Sequence, residues 1–185
     1  MRQDFRIVGT GGQGVISLAM LLATAYGLYE GHEVTQTQSY GAEARGGACQ
    51  AGVIVSDSPI GYIKVDNISV FIAFGEAGFR KFAHEIRPDT IVFIDSSLIN
   101  MEEAKKYSNN VYSIPATDIA TKKFKPFMAN IVMMGYVASK LDNLNLSSCE
   151  DAIRREMPKK FIDLNISALK YGYEYYQEVT NLGCK

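Results

Sequence analysis

Cysteine is scarce in this 185-residue chain and badly spaced for redox or metal chemistry: Cys49, Cys149 and Cys184 are odd in number and form no C-x-x-C pair. That excludes a disulfide framework and a self-contained iron–sulfur or zinc site, so any electrons handled here must leave through another protein. Histidine is scarcer still, with His32 and His84 alone and no metal-ligand partner for either at helical spacing. Net charge is missing too, since 19 basic side chains meet 20 acidic ones and no basic stripe stands out, which argues against nucleic acid. No apolar run reaches the roughly 20 residues that cross a bilayer, and the first residues lack the basic and apolar layout of a signal peptide. A cytoplasmic chain with no membrane contact is the expectation. Linkers rich in proline, glycine or serine are absent, as are repeats and low-complexity tracts, so residues 1–185 are expected to form one domain.

Glycine, by contrast, is concentrated where it can act. The apolar run Phe5–Val8 breaks into GTGGQG at 9–14 and then into the helix-like ISLAMLLATAYGLYE. Gly9, Gly11 and Gly14 fit the G-x-G-x-x-G spacing of a strand, tight turn and helix, which puts an anion site at a helix N-terminus. A dinucleotide fold also needs an acidic residue at the end of its second strand for the ribose hydroxyls. The stretch EVTQTQSY at 33–40 has its acid, Glu33, at the wrong end, so nicotinamide binding is disfavoured. The plainer alternative is that these glycines only let the first helix pack tightly. A second glycine-rich stretch, QTQSYGAEARGGACQAG at 36–52, holds Arg45 beside Gly46 and Gly47. A guanidinium on such a loop can grip a phosphate or carboxylate bidentately. A local Glu43–Arg45 ion pair is the other reading of the same residues.

The two segments GTGGQGV (9–15) and QTQSYGAEARGG (36–47) together resemble the gamma subunit of 2-oxoacid:ferredoxin oxidoreductases. The resemblance runs on through FIAFGEAGFRKF (71–82) and IVFIDSSLI (91–99), covers nearly the whole chain, and is nearest to the free-standing gamma subunits of 2-oxoglutarate and 2-oxoisovalerate enzymes. Pyruvate-type members differ around the second motif. The resemblance implies a multi-subunit enzyme of anaerobic metabolism that decarboxylates a 2-oxoacid on thiamine diphosphate, oxidises it through iron–sulfur clusters and captures the acyl group on coenzyme A. Thiamine diphosphate, magnesium and the clusters are then expected in partner chains, the thiamine-binding alpha and beta subunits and a ferredoxin-like subunit, with ferredoxin as acceptor. This chain itself holds no cofactor alone but contacts CoA.

The expected fold is a three-layer α/β/α sandwich with a Rossmann-like, mostly parallel sheet, a β-hairpin insertion and a helical C-terminal third. Val70–Phe74 and Ile91–Ile94 read as strands buried on both faces, with EAGFRKFAHEI as the crossover helix between them. The runs GVIV and IGYIKV, separated by SDSP at 56–59, read as the hairpin. After Ile114 come helix-like segments beginning at Ala116, Ala129, Ser147 and Phe161.

Other polar residues are weaker candidates. Asp95 ends a strand where open sheets place ligand groups, but helix capping explains it better. Met133 and Met134 suit a buried packing helix. Asn130, in that same apolar helix, either satisfies a backbone end or points at the glycine loops. Tyr171, Tyr173, Tyr175 and Tyr176 cannot share one helix face and lean towards a partner contact.

The chain therefore offers no catalytic base or nucleophile and no metal ligands. Its expected role is an anion-binding wall made by Gly9, Gly11, Gly12, Gln13 and Gly14, completed by Arg45, Gly46 and Gly47, together with a subunit interface. A stand-alone nucleotide-binding regulatory domain is the alternative.

Overall fold

The computed structural model describes residues 1–39 and 47–182, and for residue 39 and residues 176–182 the backbone only. Six strands form one sheet in the order β2-β3-β1-β4-β5-β6. They are β1 (Arg2–Thr10), β2 (Glu33–Ser39), β3 (Ala48–Ser56), β4 (Ile68–Ala73), β5 (Ile91–Asp95) and β6 (Asn110–Ile114). β1, β4, β5 and β6 are parallel neighbours, while β3 runs antiparallel to both β1 and β2. Only β3 is therefore reversed, and the sheet is mostly parallel.

Helices cover both faces, which is why β4 and β5 read as unbroken apolar runs rather than alternating ones. On one face α1 (Val15–Thr24), α4 (Ala116–Lys123), α5 (Ala129–Ala138), α6 (Leu146–Glu156) and α7 (Ile162–Leu182) pack on Phe5, Ile7, Val53, Val55, Val70, Ile72 and Phe93. On the other, α2 (Glu76–Phe82) and the short α3 (Met101–Ala104) pack on Val8, Ile54, Phe71, Ala73, Val92 and Ile94. Alternate strand residues thus feed two cores, giving the three expected layers.

The hairpin lies elsewhere than the apolar pattern suggests. Residues 57–67 contain no strand; the antiparallel pair is β2 with β3, so the Arg45-bearing segment is its connection. The apolar residues of IGYIKV serve instead as a strap. Val65 fills the space over Gly52, where a Cβ would lie 2.6 Å from Val65 Cγ2, while Tyr62 and Ile63 remain exposed.

In the helical third, α5 is buried along its whole length, Met133 and Met134 included. Gly135 of α5 and Gly172 of α7 let the two backbones touch: a Cβ on either would overlap a carbonyl of the other helix, that of Leu169 or Val132. Tyr171, Tyr173 and Tyr175 lie partly buried against the chain's own core, with the Tyr171 ring 6.0 Å from that of Phe124. The side chain of Tyr176 lies outside the described residues.

Candidate functional site

The glycine turn leaves the C-terminal end of β1, and β1 is where the strand order reverses, with β3 on one side and β4 on the other. Open α/β sheets bind ligands at such a switch point, beyond the carboxyl ends of the strands. Gly14 ends the turn at φ 75° and N-caps α1 without any side-chain cap or acid in the first turn, so no described side chain of the helix's first turn compensates its positive end.

The individual glycines do different work. Gly9 is a packing glycine: a Cβ there would lie 2.8 Å from Gln13 Oε1 and 2.9 Å from Val15 Cγ2, and Gly78 of α2 rests on its backbone. Gly14 sits against the Asn130 side chain, which a Cβ would strike. The tight-packing explanation thus holds for both. Gly12 differs, with φ 97° and nothing within 4 Å of a Cβ, so it faces open space. The Gly11 amide donates to the Gly47 carbonyl at 3.3 Å, tying the turn to the base of the hairpin connection.

Gln13 is turned inward. Its Oε1 accepts from the Thr10 amide at 2.6 Å and its Nε2 donates to the Phe74 carbonyl at 2.9 Å, clamping the ends of β1 and β4 together. The side-chain amide expected at a phosphate is engaged in shaping the turn instead. Arg45 and Gly46 lie outside the described residues.

Two cavities flank the turn, and Gly12 and Phe127 border both. One, of about 320 Å³, is lined also by Gln13, Phe74, Leu98 and Thr117. The other, of about 240 Å³, is lined also by Gly14, Ser17, Asn130, Phe161 and Asn165. Phe127 stands 60% exposed between them. Asn130, 5% exposed, donates from Nδ2 to the Gly14 carbonyl at 3.3 Å, while its Oδ1 is buried without a donor among the described residues. Both readings of this residue therefore hold at once, since it satisfies a backbone end and lies against the glycine turn. An unmatched buried acceptor is costly unless something supplies a proton donor. A ligand with anionic groups for the helix end and N–H groups for Asn130 suits this lining.

Asp95, fully buried, accepts from the Thr117 amide at 3.0 Å, the Thr117 hydroxyl at 2.6 Å and the Ser97 amide at 3.0 Å. It caps α4 across the sheet end and offers no free carboxylate to a ligand. His32 pairs with Asp57 at 2.9 Å, away from the turn. Among the described residues no three of His, Cys, Asp and Glu are grouped to hold a metal. Cys149 is buried, and burial pushes its thiol up, out of the reactive range. Phe127, Phe161 and Ser17 carried no recognisable signal in the sequence; only an exposed phenylalanine directly before a wholly apolar helix could have drawn notice to the first.

This is a binding site on an α/β scaffold, built from backbone, amides, hydroxyls and rings. The model of the pyruvate ferredoxin/flavodoxin oxidoreductase family matches residues 4–175, and the chain belongs to that family. It is 36% identical over 180 residues to 2-oxoglutarate synthase subunit KorC of Methanocaldococcus jannaschii, covering 97% of this chain and 96% of that protein. The keto/oxoacid ferredoxin oxidoreductase gamma subunit of Geobacter sulfurreducens superposes with a TM-score of 0.82 at 26% identity over 96% of this chain and 98% of its own. The fold recurs in 2-oxoglutarate:ferredoxin oxidoreductase of Magnetococcus marinus, solved with 2-oxoglutarate, coenzyme A and succinyl-CoA, with a TM-score of 0.85 at 21% identity; this chain spans 31% of that one. The chain is thus a gamma-type subunit of a 2-oxoacid:ferredoxin oxidoreductase.

Proposed function

We propose that the enzyme to which this subunit belongs converts 2-oxoglutarate and CoA to succinyl-CoA and carbon dioxide, with a pair of electrons passing to two ferredoxins and one proton released. The end-to-end match to relatives named for 2-oxoglutarate supports that substrate over pyruvate. Thiamine-binding alpha and beta subunits and a ferredoxin-like subunit supply thiamine diphosphate, magnesium and iron–sulfur clusters, and the assembly works in the cytoplasm. The comparisons bring no support to a stand-alone nucleotide-binding regulator.

Within that assembly this chain binds and orients. The observation that carries the reading is the glycine turn at the sheet's switch point, with Gly12 open to two cavities and the unpaired Asn130 Oδ1 beside it. The Gly12 and Gly14 amides, in the turn leading into α1, attract phosphate, and Arg45, Gly46 and Gly47 supply further donors for the same anion. CoA, when bound, supplies the thiol that accepts the acyl group; the chain's own residues hold it and exclude water.

The test is made on the anaerobically purified complex. Arg45→Ala should raise the KM for CoA about tenfold or more while the KM for 2-oxoglutarate stays put. A complex that loses subunits with CoA dependence unchanged would make the segment an assembly element instead.

A further inference from the structure

Most of the described surface cations meet a carboxylate. Every described arginine meets a carboxylate, as do Lys64, Lys105, Lys106, Lys122 and Lys170. Lys81 and Lys123 meet no carboxylate among the described residues and lie over the Phe82 and Tyr171 rings. Lys125, Lys159 and Lys160 also meet none among the described residues, and these last three are exposed. They come from two separate connections, Lys125 from the one joining α4 to α5 and Lys159 and Lys160 from the one joining α6 to α7. Tertiary structure brings those connections together, because the Phe127 and Phe161 rings meet edge to face at 6.4 Å. Lys160 Nζ lies 4.8 Å from the centroid of the Phe161 ring. Both rings line the 240 Å³ cavity beside the glycine turn. A partly exposed aromatic pair on two connections that together carry three lysines without a carboxylate partner among the described residues thus forms the rim of the site.

We propose that this rim recognises the nucleotide end of CoA, and that Lys125, Lys159 and Lys160 discriminate for its 3′-phosphate. The inference rests on the reading of the cavity as the CoA site and deepens it. Charge on CoA is confined to its diphosphate and 3′-phosphate, so cations without carboxylate partners are useful only to that end. The purine offers a π-face to an exposed phenylalanine, an interaction indifferent to hydrogen-bond pattern. The pantetheine arm is neutral and carries amide N–H groups, which suit the amide-lined interior where Asn130 Oδ1 meets no donor among the described residues. Lysine fits the rim because a phosphate at an open, wet edge needs a point charge rather than a rigid fork. An acidic surface of a partner subunit is the competing occupant; it has no need of a cavity or of an exposed ring standing in its mouth.

The experiment uses the assembled enzyme with CoA and with dephospho-CoA. The variant Lys125→Gln/Lys159→Gln/Lys160→Gln should raise the KM for CoA about tenfold or more, with little change in kcat at saturation, and should move the KM for dephospho-CoA far less, so that the preference between the two collapses. Phe127→Ala should raise both KM values by a similar factor. In the wild type the KM for CoA should climb with ionic strength more steeply than in the triple variant. Unchanged discrimination in the triple variant, with Arg45→Ala still raising the KM for CoA, would overturn the rim and leave the cavity reading standing. Unchanged CoA kinetics in both would overturn the cavity reading as well. Loss of partner subunits from the triple variant on native mass measurement, with discrimination intact, would assign the rim to subunit docking and sink the proposal.

Discussion

Glu30 shows how one side chain can hold distant segments together. It follows the wide helical turn Ala25–Tyr29 that ends α1, and its carboxylate accepts from the Asn145 amide at 2.9 Å and from Asn145 Nδ2 at 3.0 Å, over the N-terminus of α6. Burial alone pushes this carboxyl up, but the Ser148 hydroxyl, both Asn145 donors and the His32 charge outweigh it and hold it below the usual carboxylate range. A depressed folded-state pKa means that the stabilisation is complete above the unfolded value near 4.5 and is lost as pH falls through the folded one. Glu30→Ala should cost about 2 kcal/mol at neutral pH, and its melting temperature should fall less steeply on acidification below about pH 4.5 than that of the wild type. The turn glycines make a second contrast at this scale. Gly14→Ala combines a positive φ with a collision against Asn130 and should cost at least about 2 kcal/mol in thermal unfolding. Gly12→Ala has open space and should cost about 1 kcal/mol, so its damage should register chiefly in CoA binding. The spacing of the glycines was legible in the sequence. Which of them packs and which faces open space was not, because that depends on Asn130 and Gly78, far away along the chain.

At the scale of elements, the crossing of α5 over α7 is the tightest joint in the molecule's helical layer. Replacing glycine by alanine inside a helix ordinarily stabilises by about 1 kcal/mol. Gly135→Ala should do the reverse and destabilise by about 3 kcal/mol in urea unfolding, since the added methyl meets the Leu169 carbonyl and the helices must separate. A neutral or stabilised variant would show that the crossing is looser than the backbone contact indicates. The helices α4 to α7 were readable from their apolar periodicity and from the end of strand signals after Ile114, as were β4 and β5 from their continuous apolar runs. The hairpin lies elsewhere than expected because the β-branched and aromatic residues of IGYIKV mimic a strand in composition. Only the gap above Gly52 shows that Val65 belongs to a strap over β3, and a residue that fills a distant gap leaves no local pattern.

For the whole molecule, a sheet with its glycine turn at the switch point and helices on both faces makes a rigid wall with one reactive-looking edge but no acid, base or metal cluster among the residues lining it. The purified chain should therefore show no CoA-dependent oxidation of 2-oxoglutarate with an artificial electron acceptor, and activity should appear only when the other subunits of the enzyme are added back. Turnover by the chain alone would refute its reading as a subunit. The amino-acid sequence by itself determined the layer class, the strand–turn–helix opening, the helical third and, through GTGGQG and QTQSYGAEARGG, the family, because these rest on periodicity and on residues adjacent along the chain. Tertiary structure alone decided that Gln13 clamps β1 to β4, that Asp95 caps α4, that Asn130 lies against the turn with an unmatched oxygen, and that two lysine-bearing connections meet across Phe127 and Phe161. Those are contacts between residues from about 20 to more than 100 positions apart, and chain separation of that size is closed by packing two cores against one sheet, not by any local preference.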